Sequence, residues 1–180
     1  MKRVLFMCTA AAALLGAAAC GGPDSREEAQ SGAEERTAVE MKDYGSEPTV
    51  LDIEEYTLAN GNFRTTLWTG GNLQLTLMSV PVGGEIGLEQ HPDIDQFLRI
   101  EQGEAEVRMG DSREQLDFVR PASADCAVFV PAGKWHNVVN KGEVPLKLYS
   151  IYAPAEHAHG TVHKTYEEAM AAEHEHHHHR

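Results

Sequence analysis

Four side chains able to hold a metal ion fall close together in this 180-residue chain: Glu89, His91, Asp95 and Gln96, inside the run GGEIGLEQHPDIDQFLRIEQG from Gly83 to Gly103. A further candidate, His136, lies in VPAGKWHNVVN, Val130 to Asn140. Carboxylate oxygens and imidazole nitrogens suit a divalent ion, but neighbours on one stretch of chain seldom surround it, so a donor from elsewhere is needed. The expectation is therefore one site closed by the two runs. Side chains two apart on a strand share a face, which lets Glu89 and His91 point inward together. If Gln96 starts the next strand facing inward, Leu98 and Ile100 follow it, while Asp95, Phe97 and Arg99 face out. That parity prefers Gln96 to Asp95 as a third donor from the first run, and a bulge at the intervening turn would reverse the choice.

Short β-rich segments must position these donors. They are expected at Val50 to Leu58, Phe63 to Thr69, Asn72 to Val80, Gln96 to Ile100, Glu104 to Arg108, Gln115 to Val119, Cys126 to Val130, His136 to Asn140 and Pro145 to Tyr152. Asn60-Gly61 reads as a hairpin turn between the first two. Even spacing, with turn residues such as Gly103, Gly110-Asp111 and Lys141-Gly142, favours an antiparallel sandwich or barrel over a parallel α/β fold. Thr165 followed by Glu168 reads as a capping box opening a short helix within KTYEEAMAAEH.

Around this body, residues 1–20 read as a signal peptide of the lipoprotein kind, with Lys2 and Arg3, an apolar run, and Ala18-Ala19 before Cys20 as the lipidation site. Residues 21–46 carry almost no large apolar groups and read as a flexible tether. Residues 47–165 form the β domain, and 166–180 a short helix and His-rich tail. Cys8 leaves with the signal and Cys20 takes the lipid, so no disulfide is expected from the remaining Cys126. A formal net charge of −13 argues against nucleic acid as a partner and limits membrane contact to the anchor. The expected location is the cell envelope, facing the periplasm or the exterior. A second copy of the chain is a further candidate partner.

The two donor runs resemble the two signature motifs of the cupin superfamily, small β-barrels that commonly hold one divalent metal. Gly83, His91 and Gly103 match the first motif in identity and spacing; Pro131, Gly133, His136 and Asn140 match the second, with Asp125 at its leading glycine position. The fold this implies is an all-β cupin barrel (double-stranded β-helix, or jelly roll) with a short C-terminal helix. Two ligand positions depart from the family pattern: Glu89 stands where the first histidine is usual, and Gln96 where the glutamate is usual. The resemblance then implies metal ligands Glu89, His91, Gln96 and His136, with a two-histidine, one-carboxylate face suited to Fe, Mn or Zn. The implied function is metal-dependent chemistry on a small molecule, isomerase-like or dioxygenase-like, with a non-catalytic small-molecule-binding cupin and a metal-handling lipoprotein as alternatives. Leu146 to Thr165 also resembles the tail of small bacterial cupins called sugar-isomerase-like, which brings His157, His159 and His163 to the pocket mouth as candidate acid–base groups, beside the blander reading of solvated loop histidines.

Overall fold

The computed structural model of the protein describes residues 39–177. The signal peptide with Cys20, most of the tether and the last three residues lie outside the described residues. The folded part begins before residue 47. Tyr44 N–H donates to the Leu67 carbonyl (2.8 Å), and the Asp43 carboxylate accepts from Thr69 Oγ1 (2.6 Å) and Gly160 N–H (3.1 Å).

Helix α1 (Ile53–Ala59) is followed by β1 (Arg64–Thr69), β2 (Gln74–Val80), β3 (Asp95–Gln102), β4 (Glu104–Gly110), β5 (Phe118–Ser123), β6 (Ala127–Val130), β7 (Trp135–Asn140), β8 (Leu146–Ala153), β9 (Val162–His163) and α2 (Tyr166–His177). The strands form a six-stranded sheet, β6-β3-β8-β2-β1-β9, and a three-stranded sheet, β5-β4-β7. Every strand pairing within them is antiparallel. Between the sheets lie Leu98 and Ile100 of β3, Val107 of β4, Val138 of β7 and Leu148 of β8, all nearly inaccessible. Each such side chain contributes about 1.5–3 kcal/mol by leaving water. Inward Gln96, Leu98 and Ile100 alternate with more exposed Asp95, Phe97 and Arg99, as parity required.

Three expectations are corrected. Val50 to Leu58 is not a strand. Asp52 caps a helix there, accepting from Glu55 N–H (3.1 Å), and Glu54 and Glu55 sit in the first turn, where the helix dipole favours negative charge. Asn60-Gly61 is then the helix exit rather than a hairpin turn, with Asn60 bonded to the backbone of Asn62. The strand expected at Gln115 to Val119 starts later, at Phe118, because Gln115 N–H folds back onto the Ser112 carbonyl (3.2 Å) in a tight turn. Pro121 is tolerated in β5 because β5 is an edge strand.

Toward the C-terminus Thr165 caps α2 as expected, while the returning glutamate bond lands one residue earlier than in a strict capping box. Thr165 Oγ1 accepts from Glu168 N–H (3.3 Å), while the Glu168 carboxylate accepts from Lys164 N–H (2.6 Å). Tyr166, Ala169 and Met170 of α2 rest on the core. Among the described residues no helix is long and apolar enough to cross a membrane.

Candidate metal centre

Glu89 lies in no regular strand, yet its backbone is fixed. It exchanges two hydrogen bonds with His136 of β7, N–H to carbonyl in each direction at 3.0 and 2.9 Å. Residues paired in this way put their side chains on the same face. Four residues earlier Glu85 faces Val139, only three residues along from His136, so the Glu85–Glu89 segment carries one extra residue. This is a β-bulge, and Gly87, at φ +104°, lies within it. The bulge changes the parity. Glu85 bonds Asn137 on the outer side (2.8 Å), Ile86 is buried in the core, and Glu89 faces in beside His136. Unbulged alternation from Glu85 would have sent Glu89 outward.

His91, two residues on, shares the inward face, and its carbonyl takes Gly133 N–H (2.8 Å) from the Pro131–Gly133 turn. Asp95 pins the same turn by accepting from Ala132 N–H (2.9 Å). Asp125, at the position where the second motif has glycine, adopts φ +69°, a conformation Asp tolerates better than most side chains. Asn140 bonds the carbonyls of Val80, Pro81 and Val144. The motif's asparagine is therefore a structural pin.

The ligating atoms of Glu89, His91 and His136 all lie within 4.8 Å of one another. Glu89 Oε1 is 3.2 Å from His136 Nε2 and 3.4 Å from His91 Nε2. Donors bonded to one ion at about 2.0–2.2 Å stand roughly 3–3.5 Å apart, so these separations suit a shared cation. His136 Nδ1 is 3.1 Å from the Lys134 carbonyl; donating its proton there leaves the Nε2 lone pair free to ligate. His91 Nδ1 faces Glu156 Oε1 at 3.5 Å, a carboxylate–histidine arrangement of the same kind. Among the described residues, His91 Nε2 and Gln96 Oε1 are sealed from solvent and form no hydrogen bond. A cation among the three would meet the sealed His91 Nε2 and the Glu89 carboxylate together, so the residues fit a divalent metal.

The electrostatics match. In the metal-free chain burial alone would raise the Glu89 pKa, but the His136 hydrogen bond and the proximity of His136 and His91 outweigh it and hold the carboxyl below the usual carboxylate range. Burial pulls the His91 pKa down, yet Glu156 and Glu89 lift it to about 9. Without an ion His91 therefore carries a proton where a cation would sit. Tyr152, whose ring meets His91 edge-on at 5.5 Å, is pushed above the usual phenol range by burial and by Glu89, and is a neutral donor.

Of the expected site residues, Glu89, His91 and His136 come together. Gln96 is inward and buried, its Nε2 donating to Ser150 Oγ (2.9 Å). Asp95 is held away in the turn contact. His157 stacks edge-on against Tyr152 at 5.2 Å, and burial together with Arg64 lowers its pKa to about 3, so it is neutral. His163 pairs with Arg64 across β1 and β9. His159 is exposed and binds the Gly45 carbonyl (2.9 Å) and Asp43 instead of the pocket, which corrects the expectation for it. Arg64, Tyr152, Glu156 and Glu173 are further polar groups of this region that sequence reasoning did not reach. Both faces of β1 are buried, so its alternation could not mark Arg64 as inward.

Residues 76–152, which include Glu89, His91, Gln96 and His136, match the family profile described as Cupin domain. The chain is 53% identical over 156 residues to YrkC of Bacillus subtilis (strain 168), covering 84% of each chain. It is 37% identical over 114 residues to L612 of Acanthamoeba polyphaga mimivirus, covering 63% of this chain and 69% of that one. The crystal structure of BH2720 from Bacillus halodurans superposes with a TM-score of 0.72 at 55% identity, over 72% of this chain and 98% of its own. Two antiparallel sheets enclosing one core, motif glycines at the turns and relatives matched along most of their length lead to one conclusion: the chain belongs to the cupin family and has its double-stranded β-helix fold.

Proposed function

We propose that this cupin is a metal-dependent protein acting on a small molecule, with Glu89, His91 and His136 as ligands to one divalent ion of Fe, Mn or Zn. The observation that carries the reading is the convergence of one carboxylate and two imidazoles from two separate chain segments, with His91 Nε2 sealed from solvent and facing Glu89 Oε1 at 3.4 Å. Two histidines and one carboxylate leave coordination positions for a substrate atom. Bound there, the ion supplies Lewis acidity toward a carbonyl or hydroxyl oxygen.

The chain's own residues orient and exclude. His136 is held by Lys134, His91 by Glu156, and Gln96 offers a neutral oxygen. Tyr152 and His157, both uncharged, are polar groups able to donate to a substrate oxygen. Isomerisation and oxygen-dependent cleavage are the two reaction types this set would serve. If residues 1–20 are an export signal with lipidation at Cys20, the work is done in the cell envelope, and Cys20→Ser is expected to move the protein from the membrane fraction to the soluble one.

The test is elemental analysis of protein purified without metal affinity and lacking His176–His179, beside the same protein carrying His136→Ala. The parent is expected to hold close to one ion per chain and the variant far less. Equal metal in the two overturns the centre. Metal lost on removal of the tail alone would instead favour the metal-handling reading.

A further inference from the structure

Arg64 is the least expected residue inside this fold. Its guanidinium is 1% exposed and spends one hydrogen bond, Nη1 to Glu173 Oε1 at 2.9 Å. Among the described residues nothing bonds Nε and Nη2, the two nitrogens of one guanidinium edge, and both are sealed from solvent. That edge presents parallel N–H groups in the geometry that takes both oxygens of a carboxylate. Other unsatisfied groups lie around it. His163, directly across from Arg64 in the register, has Nδ1 buried without a partner, and His157 has Nε2 in the same condition. The charge of Arg64 is kept: burial would weaken it, but the Glu89 and Glu173 carboxylates hold the guanidinium firmly protonated. The positive charge of Arg64 in turn helps keep His157 and His163 neutral.

We propose that the unpaired Nε–Nη2 edge of Arg64 is a carboxylate-binding site within the barrel, and that the small molecule this cupin takes is a monocarboxylic acid. The charge count selects the class. Glu89, Glu156 and Glu173 are balanced by Arg64 and one divalent ion. Glu156 and Glu173 are each 36% exposed and partly screened by water, while Arg64 and Glu89 lie inside; a single carboxylate at the Arg64 edge adds one charge to that buried pair and the ion, whereas a phosphate dianion adds two, and the cost of uncompensated charge rises steeply away from water. His157 and His163, held neutral, can donate to or accept from the rest of the molecule without altering that balance. The count rests on the metal reading; the unpaired edge does not.

The test titrates full-length, zinc-loaded protein with acetate, lactate and pyruvate by calorimetry, using acetamide as the uncharged counterpart of acetate and inorganic phosphate as the dianion. At least one carboxylate is expected to bind, with acetamide and phosphate at least tenfold weaker. Arg64→Lys keeps the charge but removes the fork and is expected to weaken the carboxylate at least tenfold. Binding indifferent to Arg64→Lys and abolished by chelation would mean the acid sits on the metal alone, and overturns the proposal, as does binding of none of the three acids.

If Arg64→Lys does not fold, Glu173→Gln continues the test. Removing the negative charge that Glu173 places on Nη1 strengthens the positive field at the free edge and is expected to tighten the acid several-fold, and unchanged or weaker binding counts against the site. Elemental analysis of the same samples separates the two readings. Metal-free protein whose carboxylate binding still depends on Arg64 rejects the metal centre and keeps this site. Metal-loaded protein insensitive to Arg64→Lys rejects this site alone.

Discussion

Replacing Gly87 tests whether one backbone position aims the ligands. At φ +104° an L side chain is strained, at a cost of about 1–3 kcal/mol. The space itself is open enough. A Cβ at Gly87 would meet Met170 Cε at 3.5 Å and Tyr166 at 3.6 Å, ordinary contact distances. The penalty of Gly87→Ala is therefore in the backbone, and the chain can relieve it by straightening the bulge. Straightening restores simple alternation from Glu85 and turns Glu89 and His91 away from His136. The matched control is Gly83→Ala, where φ is +73° and nothing lies within 4 Å of the added carbon, on the far side of Glu85 from the bulge.

Urea unfolding in chelator should show both variants destabilised by about 1–3 kcal/mol. Metal titration should separate them. Gly83→Ala should bind zinc as the parent does, whereas Gly87→Ala should lose at least tenfold in affinity, about 1.4 kcal/mol. Equal zinc affinity in the two, at equal destabilisation, would refute the claim that the bulge positions the ligands.

Three further outcomes are expected. Because the His91 pKa stands near 9 in the metal-free protein, ion binding at pH 7 should release close to one proton, and calorimetry in buffers of different ionisation enthalpy should show the release fading above about pH 9. Glu156→Gln removes the carboxylate facing His91 Nδ1 and should lower metal affinity by roughly 10–100-fold while leaving the fold intact, as read by titration and circular dichroism. The folded-state pKa of His157 is depressed to about 3 from an unfolded value near 6.5, so the unfolded chain takes up a proton that the folded one refuses. Stability in chelator should consequently fall as pH drops from about 6.5 toward 3, and His157→Gln should flatten that part of the urea-midpoint profile.

Sequence periodicity carried the fold wherever a strand has one wet face. Gln96, Leu98 and Ile100 alternate with Asp95, Phe97 and Arg99, and the structure keeps that parity. The second motif was legible because its residues serve geometry as much as chemistry: Gly133 and Asp125 take left-handed backbone, and Asn140 ties off three carbonyls. Legibility failed in two physical situations. Asp52–Glu55 supplied a helix-capping signal that competed with the β-branched and aromatic character of Val50, Ile53, Tyr56 and Thr57, and local capping prevailed.

The other failure explains why the site's polar half stayed hidden. Alternation identifies an inward residue only against an outward one that meets water. In β1 the first four residues, Arg64 to Leu67, are all buried, because α2 and the 157–163 strap reach that sheet as well as the core. An arginine there reads as a solvated charge. In the fold it is a buried guanidinium with one edge unsatisfied, a state that costs stability unless something completes it. The candidate metal ligands announce themselves through spacing because a shared ion would have to be reached from two chain segments. Arg64 has no such spacing to obey, so only its missing partner reveals it.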